Sequence, residues 1–180
     1  MKIDHASCIN PRDHLADTFQ RLGARLGSTF VDDGIHPRFG TRNFTLPFQN
    51  GHYLEVVCPL DHPSSDSTPF GKAVSQRGAE GDRWLTWVVA VDHVSLIEMS
   101  LSRAAIDGHH TKPDGKAIAN LAKVEISGNE SRIEEWVRSE FIAVIGSGIE
   151  VELVAAAASE GKSGIVAVHV MTPSGVVRLD

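Results

Sequence analysis

Nine histidines and two cysteines are the side chains of this 180-residue chain best able to ligate a metal or to move a proton near neutral pH. Cys8 and Cys58 are too few for a disulfide framework and lack any zinc-ribbon spacing. No nucleophile elbow or phosphate loop is present; Gly146-Ser147-Gly148 has no following lysine and reads as a turn. His109-His110 lies in a polar stretch beside Lys112, and His14 falls on the polar side of a helix, so both read as solvated. His36-Pro37 sits in a Gly/Pro-rich loop, Asp33 to Gly40, that either covers a pocket or simply anchors the loop. Asn43 begins a strand-like run, where it lines a pocket or bonds backbone. His169 lies within a strand, as a ligand or as an ordinary strand histidine. Trp84 and Trp87 stand three apart on one strand and are expected on opposite faces, with Trp87 as core or as pocket wall.

The elements that must position these residues follow from apolar periodicity. Lys2 to Ile9 reads as a strand. Leu15, Phe19, Leu22 and Leu26 mark an amphipathic helix, with Asp13 as expected N-cap and Gly27 as terminator. Ser28 to Val31 is a short strand, and Asn43 to Phe48 and His52 to Cys58 flank Asn50-Gly51, a strong hairpin signal. The first third thus reads β-α-β-β-β. A segment follows with a short helix expected over Phe70 to Gln76. Then come a strand, Trp84 to Val91, and a helix carrying Val94, Ile97, Leu101 and Ala105. A strand over Ala117 to Ile126, a helix opened by Ser131-Arg132-Ile133-Glu134, strands over Ile149 to Val154 and Ile165 to Thr172, and a last hairpin at Ser174-Gly175 complete the chain. The order of the first half is repeated with one insertion, which suggests a duplicated module. The expected boundaries are 1–58 for the first module, 59–82 for a connector and 83–180 for the second, within one compact unit.

Several of these residues in this order resemble a known family. Ile3-Asp4-His5 opens the first strand, His36-Pro37 lies in the loop, Gly40-Thr41-Arg42-Asn43 precedes a strand, and Tyr53-Leu54-Glu55-Val56-Val57 closes the module. With Trp84 to Val91, Asp92 and the turn Lys112-Pro113-Asp114-Gly115, they resemble the glyoxalase-like branch of the vicinal oxygen chelate superfamily. The resemblance implies an α+β fold in which two β-α-β-β-β modules form a curled mixed sheet around one pocket. It also implies a divalent cation (Zn, Fe, Mn or Ni) held by a first-strand histidine and a fourth-strand glutamate of each module. Carried over, His5 and Glu55 match the ligands of the first module, and imidazole and carboxylate suit such cations. Counting along the second module places Thr86 and Leu179 at the equivalent positions, neither a credible ligand, and leaves His169 as the nearest replacement. His36, Asn43 and Trp87 are the expected substrate-binding residues.

Lys+Arg 17 against Asp+Glu 23 gives a net charge of −6, which disfavours nucleic acid and anionic membrane surfaces as partners. No apolar stretch approaches the roughly 18 residues of a membrane span, and the N-terminus carries no signal-peptide pattern. The expectation is a cytoplasmic protein, compatible with a homodimer, that binds a small organic molecule. It is either a metal-dependent lyase, isomerase or dioxygenase, or a metal-free protein of the same fold that sequesters a drug or metabolite. In the topology that the resemblance implies, the first and fourth strands are parallel neighbours, and counting three residues past His5 and three past Glu55 then places Cys8 and Cys58 side by side, at equal height, on the helix side of the sheet.

Overall fold

The computed structural model describes residues 2–81, 83–91, 115–129, 131, 148–154 and 164–180. The helix expected from Val94 to Ala105 lies outside the described residues, as do all but Ser131 of the helix expected from Ser131 to Phe141, most of the Lys112 to Gly115 turn and Gly146-Ser147.

The first strand, β1 (Lys2–Ile9), has the expected limits. Helix α1 (Leu15–Leu26) buries Thr18, Leu22 and Leu26 and ends at Gly27, whose φ of 66° closes the last turn. Asp13 is not its N-cap: a single 3-10 turn over Arg12–His14 precedes the helix, and His14 occupies the cap position without a side-chain bond. Strands β2 (Val31–His36), β3 (Thr41–Pro47) and β4 (Tyr53–Pro59) follow. The second strand starts where the sequence reading ended it, so His36 is its last residue and not part of a loop. Next come α2 (Pro69–Gly78), with the Thr68 hydroxyl accepting from Gly71 N–H as its cap, and β5 (Arg83–Ala90). Strands β6 (Asn120–Ser127), β7 (Glu150–Val154), β8 (Gly164–Thr172) and β9 (Gly175–Leu179) complete the described elements.

The fold is α+β, with two open, mixed sheets. The first has the order β2-β3-β4-β1-β5 and the second β7-β6-β8-β9. Within the first, β1 and β4 are parallel and every other pair is antiparallel. With β7 set aside, β6, β8 and β9 repeat the antiparallel order of β2, β3 and β4; β7 is added at the far edge, parallel to β6. It follows the chain segment in which the sequence reading placed an inserted helix.

The β1–β5 ladder carries an internal symmetry. Ala6 pairs with Trp87, and about that centre the pair Ser7–Thr86 is the image of His5–Val88, and Cys8–Trp84 of Ile3–Val89. Each strand carries one extra residue, Asp4 in β1 and Leu85 in β5, at equivalent distances from the centre. Two strands related by a local two-fold produce this register, and it places Thr86 opposite the role of His5, as the sequence count expected.

Each sheet has one face in a common core. Ala6, Leu46 and Leu54 of the first sheet join Leu22 and Leu26 of α1 with Val124, Val168, Val170 and Leu179 of the second. The opposite face of the first sheet, the front, carries His5, Ser7 and Glu55. At one end α2 covers it, with Phe70 and Val74 packed on Ile9, Val57 and Leu85. Burying that cluster contributes roughly 1.5–3 kcal/mol per large side chain, so α2 fixes the front face firmly beside Glu55.

Candidate functional site

Strand β4 is a near-continuous apolar run, buried on both sides, as an inner strand flanked by two neighbours requires. Glu55 is the exception in it, and it is only 2% exposed. A carboxylate so placed must be paired or hydrogen-bonded, and neighbouring strands supply the partners. The Ser7 hydroxyl donates to Oε2 in a short bond, and Asn43 Nδ2 donates to Oε1 at 2.6 Å. His5 Nε2 lies 3.5 Å from Oε2.

Register explains who meets whom. Ser7 is level with Glu55, and His5 is level with Tyr53, on which its ring stacks with centroids 4.2 Å apart. His5 therefore reaches Glu55 along a diagonal. The equal-height count behind the cysteine expectation is corrected by two residues: Cys8 lies level with Val56, not Cys58. Parity is unaffected by an even shift, so His5 and Glu55 still share a face, and neither cysteine is in a disulfide.

His5 is 1% exposed. Burial opposes its charged form, but hydrogen bonds to Asp4 and Glu55 outweigh that and hold its pKa above the ordinary histidine value. Nδ1 donates to Asp4 Oδ2 at 3.0 Å, which aims Nε2 at Glu55. The Tyr53 phenol is pushed well up by burial and then by the Asp4 and Glu55 charges, so it remains protonated.

Around this pair the front face is polar and buried. Thr41, Asn43 and Thr45 of β3 point to the same side as Glu55, each at most 3% exposed. Thr41 Oγ1, Asn43 Oδ1 and Thr45 Oγ1 find no hydrogen-bond partner among the described residues. Three orphaned oxygens in one row are costly in a folded protein unless something else binds there. His36 pairs with Thr41 across β2–β3 and so stands at the outer corner of this row, 3.9 Å from Asp33.

Two expected site residues are elsewhere. Trp87 and Trp84 both pack against the common core, because the extra residue Leu85 turns them to the same side. His169 lies between the core residues Val168 and Val170 and therefore points out of the second sheet on its other face. There Nε2 meets Glu125 Oε1 at 2.5 Å, and Arg178 Nη2 meets Glu125 Oε2 at 3.0 Å. It does not join His5 and Glu55. Across β8–β9, Arg178 is the partner of His169 as Glu55 is of Thr45, so Arg178 and not Leu179 takes the Glu55-like place. The tighter β8–β9 turn causes that one-residue difference. Leu179 is core, 2% exposed. Ser7, Asp4 and Thr45 went unread as site residues in the sequence; Ser7, two residues past His5 on the same strand, carried a readable signal, whereas Thr45 meets Glu55 only across the β3–β4 pairing.

The pair fits one side of a divalent cation site. Two ligands each about 2.1 Å from a tetrahedral cation stand roughly 3.4 Å apart, close to the His5–Glu55 separation of 3.5 Å. Asn43 Oδ1 is an unused oxygen donor on the residue that bonds Glu55. Among the described residues, no group of three His, Cys, Asp or Glu side chains is placed to hold a metal ion by itself.

Among solved structures, a hypothetical protein from Staphylococcus aureus is similar, with a TM-score of 0.51, 14% identity, and coverage of 77% of this chain and 75% of that one. Methylmalonyl-CoA epimerase from Mycobacterium tuberculosis gives a TM-score of 0.41 and 19% identity, over 56% of this chain and 64% of that one. No curated protein matches the chain. The family of glyoxalase-like domains matches residues 3–174, nearly the whole sequence. The chain belongs to that family of glyoxalase-like domains.

Proposed function

We propose that the protein binds a small oxygenated organic molecule over the front face of the first sheet, where His5 and Glu55 together hold a divalent cation. The row of orphaned oxygens beside a buried His–Glu pair carries this reading. A cation held there would polarise an oxygen of the ligand, the chemistry that lyases, isomerases and dioxygenases use. The chain's own groups have distinct tasks. Asp4 fixes the His5 ring so that Nε2 faces Glu55, and His5 gives up its proton when Nε2 becomes a ligand. Ser7 and Asn43 orient the Glu55 carboxylate. Thr41, Thr45 and Asn43 Oδ1 offer hydrogen bonds to ligand hydroxyl or carbonyl groups, and His36 stands at the margin.

A second reading, metal-free binding of a drug or metabolite, is favoured by one observation. Thr86 and Arg178 occupy the second-half positions that correspond to His5 and Glu55, and neither side chain is a divalent-cation ligand. Calorimetric titration of chelator-stripped protein with zinc, manganese and nickel, in wild type and Glu55→Gln, separates the two. Saturable binding lost in the variant supports the metal site. No binding of any of the three leaves the metal-free reading.

A further inference from the structure

Behind the first sheet, away from His5 and Glu55, a cavity of about 130 Å³ opens between α1, the ends of β1 and β9 and the start of β5. Its floor includes Asn10 and Leu22, its wall Trp84, and its mouth Arg21, Arg25 and Arg83. Two features of this lining have no structural use.

Asn10 is 0% exposed. Its backbone N–H is tied to the Val57 carbonyl, and Nδ2 donates to Thr18 Oγ1 at 2.6 Å, which fixes the side chain. Oδ1 is buried and has no partner among the described residues. A fixed amide with one orphaned acceptor is open to a donor that enters the cavity, a water in the free protein or a ligand that displaces it.

Arg25 donates from Nη2 to the Arg178 carbonyl at 2.6 Å. That bond holds the guanidinium at the mouth but neutralises none of its charge. Arg83, by contrast, is paired with Glu80, and Asp180, the acidic residue at this rim, is paired with Arg178. The planar guanidinium of Arg25 is shaped for two parallel bonds to a carboxylate.

We infer that this cavity is a second ligand site, which takes a small organic acid bearing a hydroxyl or amino group beside its carboxylate. The carboxylate meets Arg25. The neighbouring O–H or N–H donates to Asn10 Oδ1, and an apolar substituent lies against Trp84 and Leu22. A plain carboxylate offers the charge without the donor, and inorganic phosphate offers charge and a hydroxyl without the apolar substituent. The site is independent of any metal on the front face.

Mandelate is a suitable probe, with benzoate and inorganic phosphate as controls, all in EDTA so that the metal reading plays no part. Calorimetry should show mandelate binding at least about tenfold tighter than benzoate, the loss expected for one buried hydrogen bond. Arg25→Gln, an exposed substitution, should weaken mandelate by at least about tenfold. Cys8 lines the same cavity and is partly exposed, whereas Cys58 is buried. Mandelate should therefore slow alkylation of Cys8 by iodoacetamide, followed by mass spectrometry. Any of four results would overturn the assignment: no binding at about 10 mM mandelate, equal affinity for benzoate or phosphate, unchanged affinity in Arg25→Gln, or binding that leaves the Cys8 rate unaltered. Cys8 inert in the free protein would mean a closed cavity and would count equally against it.

Discussion

Thr45→Val should make the ligand-free protein more stable. Thr45 is 2% exposed, lies across from Glu55, and carries a hydroxyl with no partner among the described residues. Leaving such a group buried and unpaired costs about 1–3 kcal/mol. Valine has nearly the same volume and the same branching at Cβ, so the strand conformation and packing are kept. We expect a gain of about 1 kcal/mol, which in a chain of this size raises Tm by roughly 2–4 °C. Thr41→Val should behave alike, since Thr41 is 0% exposed and equally unpartnered. The two share no partner, so their effects should add. Asn43→Leu on the same strand should do the reverse. Its Nδ2 bonds the Glu55 carboxylate, and removing a donor from a buried charge costs about 1.5–3 kcal/mol. Urea unfolding of the three variants, with m-values compared to confirm two-state behaviour, is the assay. Loss of stability in both threonine variants would refute the idea that this row is held open for a ligand.

Glu125 is held below the ordinary carboxylate value, chiefly by the Arg178 hydrogen bond, against burial and with help from His169. A depressed carboxyl stabilises the fold above its unfolded pKa and loses that as pH falls through its folded value. Glu125→Gln should therefore cost no more than about 1 kcal/mol at neutral pH, given the exposure of Arg178, and nothing at about pH 2, as read by thermal melts across pH. Gly40→Ala should cost more than about 2 kcal/mol, because Gly40 has φ of 67° and a Cβ there would sit 2.6 Å from Ser65 N; a melt within a degree of wild type would contradict it. Ellman's reagent should titrate Cys8 well before Cys58, whose thiol is buried and pushed up by that burial; equal rates would contradict the packing described.

Much of the first module could be read from residue order alone, because its signals are local. Gly27 and Gly51 adopt positive φ where the helix and the hairpin need it, and Leu22 and Leu26 face the core at helical spacing. His5 and Glu55 came through the resemblance, and their parity was robust to a two-residue error in register. What was illegible depends on contacts between strands distant in sequence. Counting by twos put Trp84 and Trp87 on opposite faces, but one extra residue, Leu85, returns them to the same side. Counting from Gly175 pointed to Leu179, whereas the length of the turn selects Arg178. His169 could not be assigned without Glu125, its partner on another strand. The orphaned state of Thr41 and Thr45 is a property of the assembled sheet, since nothing in a threonine's neighbours along the chain says its hydroxyl will lack a partner.

The central claim, that His5 and Glu55 form one side of a divalent cation site, is tested most directly by anomalous diffraction. Crystals of chelator-stripped protein soaked in manganese or zinc should be measured on both sides of the metal's absorption edge, for wild type and His5→Ala. The account predicts one strong anomalous peak within about 2.3 Å of both His5 Nε2 and a Glu55 carboxylate oxygen, absent from the variant. A soaked crystal with no peak there, or a peak that persists in His5→Ala, would contradict it.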